Sequence, residues 1–319
     1  MKIKDHIEKG KKEGRTLFSF EILPPIKGQT VDSLYKTIDG LMEFNPSFID
    51  VTYHREDFVL KETPDGMLKK YSTRKRPGTV SICSAIQNKY QVDAVPHLIC
   101  GGFTKEETEN ALIDLNFLGI DNILALRGDP RKGETHFIPE KEGNRNSADL
   151  MHQIRNMNNG IYLDEDLNGG ASDFCYGGAC YPEKYLESPN MRMDLEWMKH
   201  KRDLGADFFV TQMFFDNKVY WNFVQKCREN GIETPIIPGI KPITTVDHLW
   251  SLPKIFGIDI PHDLAKELEG CENNQEVAEI GIRWSIEQCK DLIKGGAPVL
   301  HFYTMSRSKA TAAVCKEIF

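Results

Sequence analysis

Short apolar runs alternate with amphipathic helical stretches along the whole chain, and this alternation limits the fold more than any other feature. Eight runs read as strands: 18–23, 48–53, 94–100, 122–127, 174–181, 208–215, 235–240 and 299–305. Between them, apolar residues recur every three or four positions. The stretch 105–118 opens on Thr104 with Glu107 three residues later, the pattern of a capping box. Helical spacing over 219–230 stops at Gly231, and over 277–294 at Gly295-Gly296. Parallel strands need long crossovers, and a helix between successive strands supplies them. The runs are mostly apolar, as in strands covered on both faces. Eight such units in 319 residues suit a closed α/β fold, the (β/α)8 TIM barrel, better than an open doubly wound sheet. No Pro-, Gly- or Ser-rich linker divides the sequence, so 1–319 is read as a single barrel domain. The irregular stretch 130–146 reads as an ordered loop beside the site or a lid, with plain disorder as the alternative, and 162–170 as a small excursion.

Composition narrows the function classes. The formal net charge of −7 argues against a general nucleic-acid binder, which needs a basic face. No run approaches the ~18 apolar residues that span a bilayer. Residues 1–6 alternate charge and lack the apolar core of a signal peptide, so a cytoplasmic location and no membrane partner are expected. The eight cysteines form no CxxC pair and sit mostly among apolar neighbours, as reduced thiols do. GxGxxG after a strand, GxxxxGK[ST], HExxH and GxSxG are all missing, and no metal site is expected.

Polar residues near the C-terminal ends of barrel strands point to the face where such enzymes do chemistry. Glu21 stands in the apolar run 19–25; burial raises a carboxyl's pKa and suits it to general-acid work, unless an internal Arg or Lys pairs with it. Thr52-Tyr53 closes the second strand. His97, in the third, reads as a satisfied core histidine or a catalyst. Arg127-Gly128-Asp129 closes the fourth: a guanidinium, a glycine allowing close approach and a carboxylate together form a ligand cradle. Tyr181-Pro182-Glu183 ends the fifth. Gln212, in the sixth, carries the donor–acceptor pair that matches a heteroaromatic edge or serves a core network. Asp194 and Lys201, seven apart, share a helix face and by themselves read as solvated.

Together these fragments resemble the methylenetetrahydrofolate reductase family in its short bacterial, flavin-dependent form. The matching stretches are SFEILPP (19–25), DVTY (50–53), PHLIC (96–100), NILALRGDP (122–130), ACYPE (179–183), GADFFVTQMFFD (205–216), IIPGIKPIT (236–244) and HFYTMSR (301–307). The resemblance implies a barrel holding non-covalent FAD at its C-terminal face. It implies reduction of 5,10-methylenetetrahydrofolate to 5-methyltetrahydrofolate by NADH or NADPH, ping-pong, through flavin N5. By the same resemblance Glu21 is the general acid, and Asp129 the carboxylate near folate and flavin. Thr52, Tyr53, His97, Arg127, Gly128, Asp129, Ala179, Tyr181, Asp194 and Lys201 fall at flavin contacts, which reverses the solvated reading of Asp194 and Lys201. Gln212, His248, Leu252 and Arg307 fall at folate contacts. The family also suggests a homo-oligomer, often a tetramer. Because its S-adenosylmethionine-regulated members carry a further C-terminal domain and this sequence stops at Phe319, that regulation is not expected.

Three positions depart from the family pattern. Tyr185 replaces a histidine near the flavin, and Leu252 replaces a phenylalanine that stacks on ligand. His248 replaces a glutamine and brings an expected pH dependence. The competing readings are a flavin-free pterin-binding methyltransferase on a barrel scaffold and a non-enzymatic protein on a decayed barrel.

Overall fold

The computed structural model describes residues 1–73, 75–131, 133–166 and 169–319, and in it the alternation closes into a barrel. Lys132, within the stretch 130–146, and Leu167 and Asn168, within the excursion 162–170, lie outside the described residues. The strands are β1 (Leu17–Ile22), β2 (Phe48–Val51), β3 (Asp57–Glu62), β4 (Leu68–Thr73), β5 (Asp93–Ile99), β6 (Asn122–Leu126), β7 (Cys175–Cys180), β8 (Phe208–Thr211), β9 (Ile236–Ile237), β10 (Gly239–Ile240) and β11 (Val299–Tyr303). The helices are α1 (Ile3–Glu13), α2 (Val31–Asp39), α3 (Thr79–Tyr90), α4 (Lys105–Phe117), α5 (Ser147–Asn158), α6 (Met191–Asp203), α7 (Asn217–Glu229), α8 (His248–Phe256), α9 (His262–Glu269), α10 (Asn274–Lys294) and α11 (Ser308–Ile318).

The main sheet runs β10-β11-β1-β2-β5-β6-β7-β8-β9, with every pairing parallel. β9 and β10 are two pieces of the predicted strand 235–240, interrupted at Pro238, which has no N–H for the ladder. Counted as one, they bring the barrel to its expected eightfold form. The capping box forms as the spacing predicts: the Thr104 hydroxyl accepts from Glu107 N, and the Glu107 carboxylate accepts from Thr104 N.

Two differences have clear physical reasons. The strand expected over 208–215 stops at Thr211, because Met213 and Phe215 bury in a separate apolar cluster with Leu252, Leu264 and Val277. Apolarity alone does not distinguish such a loop from a strand. Between β2 and α3 an antiparallel hairpin, β3–β4, turns at Gly66 (φ 78°) with Thr63 N bonded to Met67 O at 2.8 Å. Its Leu60, Met67 and Leu68 are exposed, so it carries no core-type apolar run to announce it.

Residues along each strand alternate between barrel interior and helix layer. Phe18, Phe20 and Ile22 of β1 pack outward into the helix-facing core. Leu17, Phe48, Val95, Leu124, Cys175, Phe208, Ile237 and Val299 fill the floor of the interior, plugged from below by Ile3 and Ile7 of α1. Asn122 pins that helix, accepting from Ile3 N at 2.8 Å and donating to Met1 O at 2.9 Å.

α10 lies directly on the backbone after β10: a Cβ on Gly281 would sit 1.9 Å from Ile243 O. Gly281→Ala is therefore expected to destabilise the fold by about 3 kcal/mol. Thermal unfolding followed by circular dichroism should show Tm falling by several degrees, and an unchanged Tm would refute this account of the packing.

Candidate active site at the C-terminal face of the barrel

The barrel interior changes character along its axis. One rung above the apolar floor, Ser19 Oγ meets His301 Nδ1 at 2.9 Å. Asp50, fully buried, places Oδ2 3.3 Å from His97 Nε2. At the same height as Asp50 in the register stands Glu21, with Tyr303 on its other side. Glu21 Oε2 lies 3.7 Å from His97 Nε2, and the Thr304 hydroxyl donates to the Glu21 carbonyl at 2.6 Å, which fixes the strand carrying the acid.

The electrostatics follow from burial. Loss of water is the largest influence on Glu21 and lifts its pKa to about 7. His97 and Lys241 pull it down and Asp50 pushes it up, by smaller amounts. Burial opposes charge on His97, yet its bond to Asp50 and the charges of Glu21 and Asp50 carry its pKa above the usual value. The carboxyl of Glu21, with its pKa at about 7, can hold a proton near neutral pH while lying beside His97. His97 is thus a satisfied interior residue that also neighbours the candidate acid. Asp50, Tyr303 and Lys241 escaped the sequence reading. For Asp50 and Lys241 the available signal was a charged residue inside an apolar run, as for Glu21.

Around the rim, Gly128 follows β6 with φ 87°, and a Cβ there would come 3.2 Å from Ile99 Cδ1, so only glycine fits without displacement. Asp129 is exposed just beyond it. Arg127 forks onto both Glu187 oxygens at 2.7 Å and reaches Tyr185 Oη at 2.7 Å, with Phe137 from the 130–146 stretch over its face at 5.0 Å. Tyr185 and Glu187, absent from the sequence reading as partners, therefore hold the cradle's guanidinium. Tyr181 stacks near Tyr185, ring centroids 4.5 Å apart. α6 is capped by Asn190 and presents Asp194, whose Oδ2 accepts from Tyr185 N at 2.6 Å, and Lys201, whose Nζ donates to Ala179 O at 3.2 Å. Both side chains turn toward the β7 end, so the solvated-face reading does not hold. Burial lowers the Lys201 pKa.

On the second strand Thr52 Oγ1 lies 3.2 Å from His54 Nε2, and the Tyr53 ring packs at 5.0 Å from Phe103. Gln212 leaves the β8 end half-buried, its Oε1 accepting from Met213 N at 2.9 Å. With Tyr181, Glu183, Phe256 and Ile258 it lines one small recess. Burial lifts Glu183 to about 7, while its carboxylate accepts from Asp259 N at 3.2 Å.

His248 begins α8 and its Nδ1 accepts from Thr244 N at 3.3 Å. Burial, then Lys241 and Arg307, lower its pKa to about 4, so it stays neutral and the pH dependence expected of it is absent near neutrality. Leu252 is buried in the cluster of Met213, Phe215, Ile243 and Leu264, and in this structure it is a packing residue rather than an open ligand surface. Arg307 is exposed, in the turn after β11 that Met305 (φ 48°) and Ser306 (φ 58°) bend back toward β1. Ser306 Oγ ties that turn to Leu23 O at 3.1 Å. Among the described residues, no group of three or more His, Cys, Asp and Glu is placed to hold a metal ion. Among them, too, no helix is long and apolar enough to cross a membrane.

A polar acid cluster at the C-terminal end of a barrel matches many enzymes, so comparison with known proteins decides the family. The family model for methylenetetrahydrofolate reductase matches residues 2–318. The chain belongs to the methylenetetrahydrofolate reductase family. Among its relatives, the NADH-type methylenetetrahydrofolate reductase 1 of Arabidopsis thaliana is 33% identical over 98% of this chain and 50% of its own length. Methylenetetrahydrofolate reductase 1 of Schizosaccharomyces pombe is 34% identical over 100% of this chain and 48% of its own. The chain thus spans about half the length of these curated relatives. The 5,10-methylenetetrahydrofolate reductase of Pectobacterium carotovorum is 28% identical over 95% of this chain and 90% of its own. Among solved structures, a Clostridium thermocellum protein that binds two copies of 5-methyl-5,6,7,8-tetrahydrofolic acid covers 98% of both chains, with TM-score 0.59 and 15% identity. That likeness concerns the fold.

Proposed function

We propose that the protein reduces 5,10-methylenetetrahydrofolate to 5-methyltetrahydrofolate with electrons from NADH or NADPH, through non-covalently bound FAD, by a ping-pong sequence in the cytoplasm, with residues 1–319 acting as one catalytic domain. The observation that carries the reading is a buried carboxyl with pKa about 7, Glu21, at the chemical end of a barrel from this family.

The rim residues fit a flavin dinucleotide. Gly128 makes a left-handed turn at the rim (φ 87°), Tyr181 offers an aromatic face, and Lys201 is a cation whose hydrogen bond goes to a neutral carbonyl, which suits a phosphate. Thr52, Tyr53, His97, Arg127, Ala179, Asp129 and Asp194 complete the proposed holding set. When bound, the flavin supplies hydride transfer between nicotinamide and folate.

The chain's own residues supply the acid–base and electrostatic parts. Glu21, whose raised pKa of about 7 leaves a sizeable protonated fraction near neutrality, donates to folate N10, which opens the five-membered ring to an iminium cation. Asp129 stabilises that positive charge. The Gln212 amide offers donor and acceptor to the pterin edge, and His248 and Arg307 receive the outer part of the substrate.

Purified protein is expected to be yellow, with flavin absorption that bleaches on NADH or NADPH under anaerobic conditions and returns on adding methylenetetrahydrofolate. A colourless protein that still binds folate would instead favour a flavin-free pterin transferase. Light scattering will show whether copies of the chain assemble, with a tetramer expected.

A further inference from the structure

Lys241 has no part in the machinery proposed above, yet it stands at its centre. The register pairs Gly239 with His301 and Ile240 with Phe302, which sets Lys241 level with Tyr303, and Tyr303 in turn pairs with Glu21. Lysine, tyrosine and glutamate thus occupy one height on three neighbouring strand positions. Lys241 is only 8% exposed, and among the described residues no hydrogen bond or ion pair receives its ammonium. Holding a cation in such a place is unfavourable unless an acceptor meets it. An apolar side chain would suit the surrounding run, IIPGIKPIT, better.

The groups that act on Lys241 give its place. Beyond burial, it feels Glu21 from β1 and Arg307 from the turn after β11. His248, opening α8, feels Lys241 and Arg307, whereas Glu21 feels Lys241, His97 and Asp50. Lys241 is thus the group that the acid Glu21 and the basic pair Arg307 and His248 have in common. Beyond the acid the corner is basic, and its histidine is neutral. A folate runs from N10 through the benzoyl ring and the amide carbonyl to the glutamyl carboxylates.

We propose that Lys241 is a substrate-binding residue whose ammonium receives the polar p-aminobenzoyl-glutamate arm of the folate, between the acid at N10 and Arg307 at the outer carboxylate. This rests on the folate reading above and adds to it a recognition site for the anionic arm. Burial keeps the Lys241 pKa near 8, so the ammonium persists at neutral pH.

The test compares wild type, Lys241→Met and Lys241→Arg as holoproteins. Binding of monoglutamyl 5-methyltetrahydrofolate and of free p-aminobenzoyl-glutamate is measured by calorimetry, alongside Tm and flavin reduction by NADH and NADPH. Loss of one charge-assisted bond should weaken both ligands by about 10- to 100-fold in the methionine variant, with substantial recovery in the arginine variant. Tm should hold or rise, because a buried charge has been removed, and flavin reduction should be unchanged. Unaltered affinity in Lys241→Met overturns the proposal. So does a shifted pH profile of the folate reaction at unchanged affinity, which would mean that the lysine acts only on Glu21. Failure of the wild type itself to bind 5-methyltetrahydrofolate would overturn the folate reading, and the assigned ligand with it.

Discussion

Glu21→Gln is expected to slow the reaction of the reduced enzyme with methylenetetrahydrofolate by about 10²- to 10⁴-fold, the range for a positioned general acid. Flavin reduction by NADH or NADPH should stay near the wild-type rate. Glutamine keeps the size and the hydrogen-bonding capacity of the side chain and removes only the transferable proton. The pH dependence gives an independent check. The carboxyl must be protonated to act, and burial has raised its pKa from 4.5 to about 7. The wild-type folate reaction should accordingly be flat below that value and fall about tenfold per pH unit above it. In the glutamine variant the alkaline fall should vanish. Stopped-flow measurement of the two half-reactions separates these outcomes; equal losses in both would remove Glu21 from the acid role.

Asp129→Asn should slow the folate reaction by about 10²- to 10³-fold, the range for losing a preorganised group that stabilises developing charge. The exchange is nearly isosteric and leaves the left-handed turn at Gly128 in place. Asp129 is exposed in this structure, so its charge reaches full strength only where bound ligands exclude water around it. Single-turnover reoxidation by methylenetetrahydrofolate is the measurement, and a rate unchanged by the substitution would leave Asp129 as an ordinary solvated carboxylate.

The barrel was legible because its strands are apolar and regularly spaced, and because Thr104 with Glu107 and Gly231 mark helix ends in chemical terms. Weaker signals failed where tertiary contacts overrode local pattern. Met213 and Phe215 look like strand residues, yet they bury in a neighbouring cluster, and Pro238 splits a strand without disturbing its direction. Some candidate site residues at strand ends, such as Glu21, Arg127 and Gln212, could be named from their polar character; others, such as Ala179 and Arg307, came only from the family resemblance. Their partners could not: Arg127 finds Glu187 sixty positions away, and His97 finds Asp50, 47 positions away, on the neighbouring strand. Such pairings depend on register, which no single strand encodes. Lys241 was readable in principle, as a charge inside an apolar run, but only the pairing of β10 with β11 reveals its neighbours.

The closing seam between β1 and β11 has a consequence during synthesis on the ribosome. Thr304, which holds the Glu21 backbone, lies 283 positions downstream of it, and Tyr303 beside Glu21 emerges just as late. Until that final strand docks, the nascent Glu21 is hydrated and titrates as an ordinary acid. A carboxyl with its pKa raised to about 7 therefore exists only once β1 and β11, far apart along the sequence, have paired.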